Sequence, residues 1–273
     1  MPELPEVETV RRSLLPHLAG RVLSEVRVLD HRLTDPEPPA AVAARLEGVR
    51  VAALGRRGKY LIAELEDGAA LLVHLRMTGN LSWRAEPPGE PPRFLRAWAR
   101  LDDGSYLAYT DARRFGTWRV AEDGAEEWLA GRLGPEPLAG WAAADMARAF
   151  AGRRAPVKAA LLDQRVVAGV GNIYADEALW TARIHPAAPA GRLSRTRIAR
   201  LHAAVIAALE IAITAQGSSI RDFRMPDGGY GSAQERLRAY GRGGLPCERC
   251  GTIMRRTVIA QRGTTYCPRC QRF

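Results

Sequence analysis

Lysine is almost missing from this 273-residue chain: of 40 basic residues only Lys59 and Lys158 are lysines, and all the others are arginines. Against 30 acidic residues they leave a formal net charge of +10. Arginine's planar fork suits bidentate contact with phosphate, so the balance favours a polyanionic partner bound in a salt-dependent way. Cysteine is scarce too. The four present all fall in the last 27 residues, so no disulfide framework staples the body of the protein. No internal repeat is evident, which excludes a solenoid. There is no apolar run of about 18 residues and no secretory leader, so neither a membrane span nor export is expected, and a reducing cytoplasm is the natural location. The hydrophobic share of 47% indicates packed cores, and the length allows two domains.

The cysteines form two pairs, Cys247-x2-Cys250 and Cys267-x2-Cys270, separated by 16 residues. This is zinc-ligand spacing. Four thiolates make a closed tetrahedral site, so one Zn2+ with a structural role is expected. Two disulfides are the alternative, disfavoured in a reducing compartment. Between the pairs lies the β-rich segment Arg255–Tyr266, which predicts a hairpin turning at Arg262-Gly263. Residues 241–273 carry seven arginines against one acid, Glu248. Such a basic hairpin points to nucleic-acid contact.

The other informative end is Met1-Pro2-Glu3-Leu4-Pro5-Glu6-Val7-Glu8. Removal of Met1 would leave Pro2 with a secondary amine able to attack a carbonyl or sugar aldehyde and form an iminium. An α-amino group titrates near ~8, well below lysine's ~10.4. Glu3 stands beside it as a proton donor. Pro5 suits the first turn of a helix, and Val7, Val10, Leu14 and Leu15 continue at helical spacing. The positive end of that helix would disfavour the protonated amine. Taken alone, the same residues fit a helix cap or a frayed lead-in.

Between these ends, residues 1–18 read as a helix and short strands follow: Val22–Leu29, Val49–Leu54, Tyr60–Leu65, Ala70–Leu75, Ala97–Leu101, Tyr106–Thr110 and Thr117–Val120. Their density predicts a β-sandwich or barrel. Glycine- and proline-bearing 131–140 reads as a linker. Helices are expected at Ala142–Phe150, Val157–Asp163, within Ile173–Ala182, and at Arg195–Ala215, where Leu201, Val205, Ala208 and Ile211 form an apolar stripe read as core. Residues 218–244 are a glycine-rich loop. The fold class is α+β multidomain: 1–130 a sandwich with an N-terminal helix, 141–240 helical, and 241–273 a zinc finger.

Six segments carry a resemblance when taken in order: the opening Pro2–Glu8, Gly55–Tyr60 (GRRGKY), His74–Gly79 (HLRMTG), Asp111–Gly116 (DARRFG), Gly169–Glu177 (GVGNIYADE) and the cysteine module. Together they span nearly the whole chain, and it resembles the bacterial formamidopyrimidine-DNA glycosylase family. The resemblance implies a β-sandwich, a helical domain with a helix–two-turn–helix element, and a zinc finger. It implies Pro2 as the nucleophile at C1′ of a damaged nucleotide and Glu3 as the acid/base group. Lys59 would approach the lesion and its phosphates from a hairpin. Met77, Arg113 and Phe115 would fill the gap left by a flipped-out base. Asn172, read as a helix N-cap, and Arg262 would clamp phosphates, with Lys158 a further phosphate contact. Arg221, Phe223 and Tyr230 fall in the lesion-capping loop, Glu6 is assigned to site organisation, and His74 to orienting the Met77 turn or to structure. Two positions depart from the pattern: Arg76 stands where some relatives have glycine, and Ala112 where proline is common.

The implied activity is a bifunctional glycosylase and abasic-site lyase acting on oxidised purines in double-stranded DNA. The enzyme is expected to be a monomer, cytoplasmic and nucleoid-associated. An endonuclease VIII-like enzyme for oxidised pyrimidines is the alternative within the superfamily; Leu4, the Met77/Arg113/Phe115 set and the long capping loop argue against it. A non-catalytic damage binder has no need of Pro2 and Glu3. A zinc-ribbon RNA-binding protein leaves the opening motif unexplained.

Overall fold

A computed structural model describes residues 2–220 and 222–273. Arg221, expected in the lesion loop, therefore lies outside the described residues. Contacts divide the chain into two compact units: Met1–Ala130 with Ala215–Ser232, and Gly131–Thr214 with Ala233–Phe273.

The first unit opens with helix α1 (Leu4–Leu18), followed by β1 (Leu23–Val28), α2 (His31–Thr34), α3 (Pro39–Leu46), β2 (Val51–Arg57), β3 (Tyr60–Leu65), β4 (Ala70–His74), β5 (Gly79–Arg84), β6 (Leu95–Leu101), β7 (Tyr106–Asp111), β8 (Thr117–Ala121) and α4 (Ala125–Leu129). The strands form two antiparallel four-stranded sheets, ordered β1-β6-β7-β5 and β2-β3-β4-β8. Val7, Val10 and Leu14 of α1 are completely buried and share one core with Leu54, Leu61, Val73, Leu81 and Tyr109. The short α2 and α3 and strand β5 were not foreseen. β5 carries polar Asn80 and Ser82 and owes its place to pairing along β7, from Gly79 opposite Asp111 to Arg84 opposite Tyr106.

Residues 215–232, expected with the helical domain, instead pack on this first unit. Phe223 is buried in its core, the Trp83 amide donates to the Pro226 carbonyl at 3.1 Å, and the Ser218 amide donates to Glu6. Burying a phenylalanine is worth roughly 1.5–3 kcal/mol, enough to tie a loop down. Phe223 is thus an anchor of the loop rather than a group presented to a lesion.

The second unit runs α5 (Ala143–Phe150), α6 (Val157–Leu162), α7 (Asn172–Thr181), α8 (Arg195–Thr214), β9 (Arg255–Ile259) and β10 (Arg262–Tyr266). Two turns, 163–171, join α6 to α7. The 131–140 segment lies along them: the Gly134 amide donates to the Gln164 carbonyl at 2.8 Å and the Ala168 amide to the Pro135 carbonyl at 3.0 Å. On α8 the buried stripe is Ile198, Leu201, Val205, Leu209 and Ala212. Ile211, expected in it, is half exposed and borders a hollow with Ala207 and Ala208.

The hairpin β9–β10 turns at Ala260-Gln261, not at Arg262-Gly263, because Arg262 already pairs with Ile259. Both turn residues have positive φ, +49° and +60°, as a two-residue type I′ turn requires. Gly263 is left inside β10.

Candidate active site and nucleic-acid interface

Strand register brings the expected residues of the first unit to one end of the sandwich. Tyr60 at the start of β3 pairs with His74 at the end of β4, and His74 with Thr117 at the start of β8. In the other sheet, the start of β5 meets the end of β7. The β2–β3 turn carrying Lys59, the β4–β5 turn carrying Met77 and the β7–β8 loop carrying Arg113 and Phe115 therefore emerge together. Gly58 takes φ +57° at the first central position of its two-residue turn, the pattern of a II′ hairpin, and so presents Lys59.

The head of α1 joins the same end. Glu8 accepts from Arg11, Arg12 and Arg56, the last at 3.0 Å and only two residues before the Lys59 turn. Burial alone would raise the Glu8 pKa, but the three guanidinium hydrogen bonds prevail and hold it at about 2. Pro2 and Glu3 are buried just ahead of the helix. Glu6 fixes them: one carboxylate oxygen accepts the Glu3 amide at 2.7 Å, the reciprocal half of a capping box, and the other accepts the Ser218 amide at 2.8 Å. One side chain thus ties the N-terminus to the loop at 215–232. Further along that loop, Tyr230 is largely exposed with the Arg224 guanidinium 4.1 Å above its ring.

The Met77 turn and the Arg113–Phe115 loop share one organiser that sequence reasoning quoted without assigning a role. Asp111 is 1% exposed. Its Oδ1 accepts from the Thr78 hydroxyl and from the Arg113 amide at 3.2 Å; its Oδ2 accepts the Phe115 and Gly116 amides at 2.9 and 2.8 Å. Thr78 Oγ1 also accepts the Arg113 amide at 3.0 Å. Both loops must be glycine where they pass Tyr109, since a Cβ at Gly79 or Gly116 would lie 2.3 or 1.7 Å from its hydroxyl oxygen. Arg114, at φ +58°, is fixed by a bidentate pair with buried Asp30 at 2.6 and 2.7 Å. This leaves Phe115 half exposed with the Arg113 guanidinium 4.8 Å over its ring. Met77 is partly buried. Arg76 adopts φ +52°, which explains why glycine suits that position, and its amide donates to His74 Nδ1 at 3.0 Å. Burial, then the Arg76 and Lys59 charges, hold the His74 pKa down at about 3, so the ring is a neutral acceptor. His74 therefore orients the Met77 turn.

In the second unit the start of α7 and the start of β10 are held together. The N-cap of α7 is Gly171, and Asn172, expected as the cap, is the first helical residue. Its Nδ2 donates to the Gly263 carbonyl at 3.0 Å. Gln164 staples the preceding turn, donating to Val170 O and accepting from Gly169 N. Lys158, expected to reach a phosphate, has no exposed surface. Its ammonium lies 2.7 Å from Asp176 and donates to Thr264 Oγ1 and Gly263 O at 2.8 and 3.1 Å. Desolvation decides this: a lysine this deep keeps its charge only beside a carboxylate. Asp176, its own pKa raised by burial to about 6 against the pull of Lys158, also accepts the Thr265 amide at 3.0 Å. Lys158 therefore positions the hairpin instead of meeting a ligand. Arg262, next to Gly263, is exposed.

Glu177 anchors the segment that leads into the cysteine module. Buried, it accepts the amides of Arg238, Ala239 and Tyr240 at 2.8–2.9 Å. Cys247, Cys250, Cys267 and Cys270 are free thiols whose sulfurs all lie within 4.8 Å of one another. Tetrahedral bonds of about 2.3 Å set sulfurs about 3.8 Å apart, so the cluster fits one structural zinc. Trp180 Nε1 donates to Cys247 Sγ at 3.4 Å, joining the module to α7. No helix among the described residues is long and apolar enough to cross a membrane.

Comparison with known proteins follows this geometry along the chain. Residues 1–118 match the formamidopyrimidine-DNA glycosylase N-terminal domain, 133–224 its H2TH domain, and 244–272 the zinc finger found in FPG and IleRS. The formamidopyrimidine-DNA glycosylase of Paracoccus denitrificans is 47% identical, over 99% of this chain and 100% of its own; that of Chloroflexus aurantiacus is 44% identical, over 99% and 98%. A Lactococcus lactis Fpg variant in complex with a Fapy-dG containing DNA superposes with a TM-score of 0.92 at 35% identity, covering both chains fully. MutM of Thermus thermophilus gives 0.88 at 43% identity, covering 99% and 98%. Lactococcus lactis Fpg with an abasic site containing DNA gives 0.91 at 35% identity, covering 99% and 100%. With full-length identity, all three domains and the fold in agreement, the chain belongs to the formamidopyrimidine-DNA glycosylase family.

Proposed function

We propose that this DNA glycosylase excises oxidised purines, 8-oxoguanine and formamidopyrimidines, from duplex DNA and cuts the strand at the abasic site it creates. The observation that carries this reading is the head of α1: Pro2 and Glu3 are buried side by side, and Glu6 fixes the Glu3 backbone to the 215–232 loop. With Met1 removed, the neutral Pro2 amine attacks C1′ of the flipped nucleotide and the base leaves with the bonding electron pair, taking up a proton. Glu3 protonates the ring oxygen O4′ as the sugar opens, giving an iminium between Pro2 and C1′. The iminium acidifies the C2′ proton. β-Elimination then expels the 3′ phosphate, δ-elimination the 5′ phosphate, and water frees Pro2.

Met77 and Phe115 occupy the vacated stack while Arg113 hydrogen-bonds the orphaned base. Lys59 stabilises the lesion phosphates, and Tyr230 belongs to the loop that covers the base. Asn172 and the α7 N-terminus with Arg262 grip the adjoining phosphates. The zinc supplies no chemistry; it holds the hairpin that carries Arg262. The enzyme acts in the bacterial cytoplasm at the nucleoid.

Borohydride trapping on a duplex with 8-oxoguanine opposite cytosine, followed by peptide mass spectrometry, tests the reading. The expected result is a covalent adduct on Pro2. Tight lesion binding by a chain with a free Pro2 amine, but no adduct, would overturn it in favour of a damage binder.

A further inference from the structure

We infer that the far end of α7 carries a second phosphate-binding surface, separate from the lesion footprint, that holds a second DNA duplex while the first is still bound. Arg183, Arg249, Arg269 and Arg272 line a hollow of about 560 Å3 beside Cys250 and Cys270. Arg197 borders it, donating to the Arg272 carbonyl at 2.8 Å. Among the described residues no carboxylate pairs with any of these five arginines. The neighbouring acid, Glu248, is taken by Arg238 and by Arg242, the latter at 3.3 Å.

The bland explanation is that these arginines serve the protein itself, and for one of them it holds. Arg249 stacks 4.0 Å over Trp180 and donates to its carbonyl at 3.1 Å, satisfying the C-terminal end of α7. The zinc tetrathiolate, with a charge of about −2, offsets part of the rest. Four arginines on one hollow still leave about +2, with Arg183, Arg269 and Arg272 exposed. Like charges gathered without counter-ions repel one another, so the cluster costs stability unless an anion covers it.

Position separates this patch from the lesion-side contacts. Asn172 and Gly263 stand at the starts of α7 and β10, whereas Arg183 follows the end of α7 and the Cys267–Cys270 turn follows the end of β10. Ten helical residues put about 15 Å between the two ends, which face opposite ways along the axis. A straight duplex lying across the N-terminal end of α7 does not reach the other. Exposed arginine forks contact phosphate without reading sequence, so the occupant is a second stretch of DNA backbone. A glycosylase holding two segments can pass from one to the next without first dissociating.

The test is the dissociation rate of the zinc-loaded enzyme from a labelled abasic-analogue duplex, measured against rising unlabelled duplex of unrelated sequence. In the natural enzyme the rate should climb with competitor, because transfer runs through a ternary complex. An Arg183→Gln/Arg269→Gln/Arg272→Gln variant should show a flat rate with unchanged single-turnover excision. Three phosphate contacts imply a salt slope near −2.7, so fourfold more salt should weaken the competitor-driven step about 40-fold. A flat rate in the natural enzyme, a climbing rate in the variant, or lost affinity of the variant for a single duplex would each overturn the proposal. Acceleration by polyglutamate but not by duplex would do so too, moving the patch to an acidic protein. Excision of 8-oxoguanine in the same preparations reports separately on the enzymatic reading.

Discussion

In the first unit, buried carboxylates hold the functional loops by accepting main-chain amides. Glu6 takes two and Asp111 three. In the second unit Glu177 takes three in the same way for the segment leading into the cysteine module, but the hairpin that carries Arg262 is held instead by a fully buried ion pair, Lys158 with Asp176, and by four thiolates. The difference follows from the size of the core beneath. The carboxylates of the first unit sit on a sandwich with a continuous apolar interior. The cysteine module buries little besides Trp180, Ala239, Met254 and its own cysteines. A large core lets polar groups specify loop shape at modest cost, while a small one needs a metal to exist at all.

Metal loss should therefore break the second arrangement and spare the first. In Cys250→Ser the site loses a thiolate. Zinc binding is worth about 10–16 kcal/mol in finger peptides, so the module should release zinc and unfold. Hydrogen exchange should rise across 245–273 and stay unchanged across the sandwich strands, with DNA affinity lost. A zinc-loaded, active variant would mean that a different donor set binds the metal.

The first arrangement is broken more gently at Asp111. Asn in its place keeps one acceptor oxygen and turns the other into a donor facing amides. Leaving one or two buried amides unsatisfied costs about 1–3 kcal/mol each, so urea stability should fall by roughly 1–6 kcal/mol. The functional consequence should exceed the structural one, because the Met77 turn and the Arg113–Phe115 loop lose their common anchor together. Fluorescence of 2-aminopurine beside the lesion should report slower base extrusion in Asp111→Asn, with affinity for an abasic-analogue duplex little changed. Normal extrusion at reduced stability would reduce Asp111 to a structural group.

Much of this was legible in the sequence, for identifiable reasons. Cysteine spacing reports a metal site without reference to tertiary structure. Strand patterning located every sandwich strand except β5, and the helices at 142–150, 157–163 and 195–215 followed their periodicity. What stayed hidden depended on distant partners. β5 is a strand because β7 lies alongside it. Lys158 is an interior cation because Asp176 and Thr264 surround it, and a sequence gives no burial for a lone lysine. The turn at Ala260-Gln261 lacks the glycine that marks such turns, and the nearby Gly263 drew the assignment instead. Asp111 and Thr78 stood inside quoted motifs, but their hydrogen bonds join two loops 33 residues apart.

The exposed Arg262 and the buried Lys158 offer the finest division within the second unit, because both are cations within reach of Gly263. A cation that itself touches phosphate releases a counter-ion when DNA binds, whereas one that is already paired inside the protein does not. Arg262→Ala should weaken binding to every duplex and lower the salt slope by about one. Lys158→Gln should weaken binding as well, since the hairpin loses its hold on α7 and Asp176 is left buried without its partner. Its salt slope, however, should equal that of the natural enzyme. Fluorescence-anisotropy titrations of both variants across roughly 50 to 200 mM salt measure the two slopes directly. Equal loss of slope in both would mean that Lys158 leaves Asp176 to meet the DNA, and the second unit's clamp would then be a moving part instead of a preformed one.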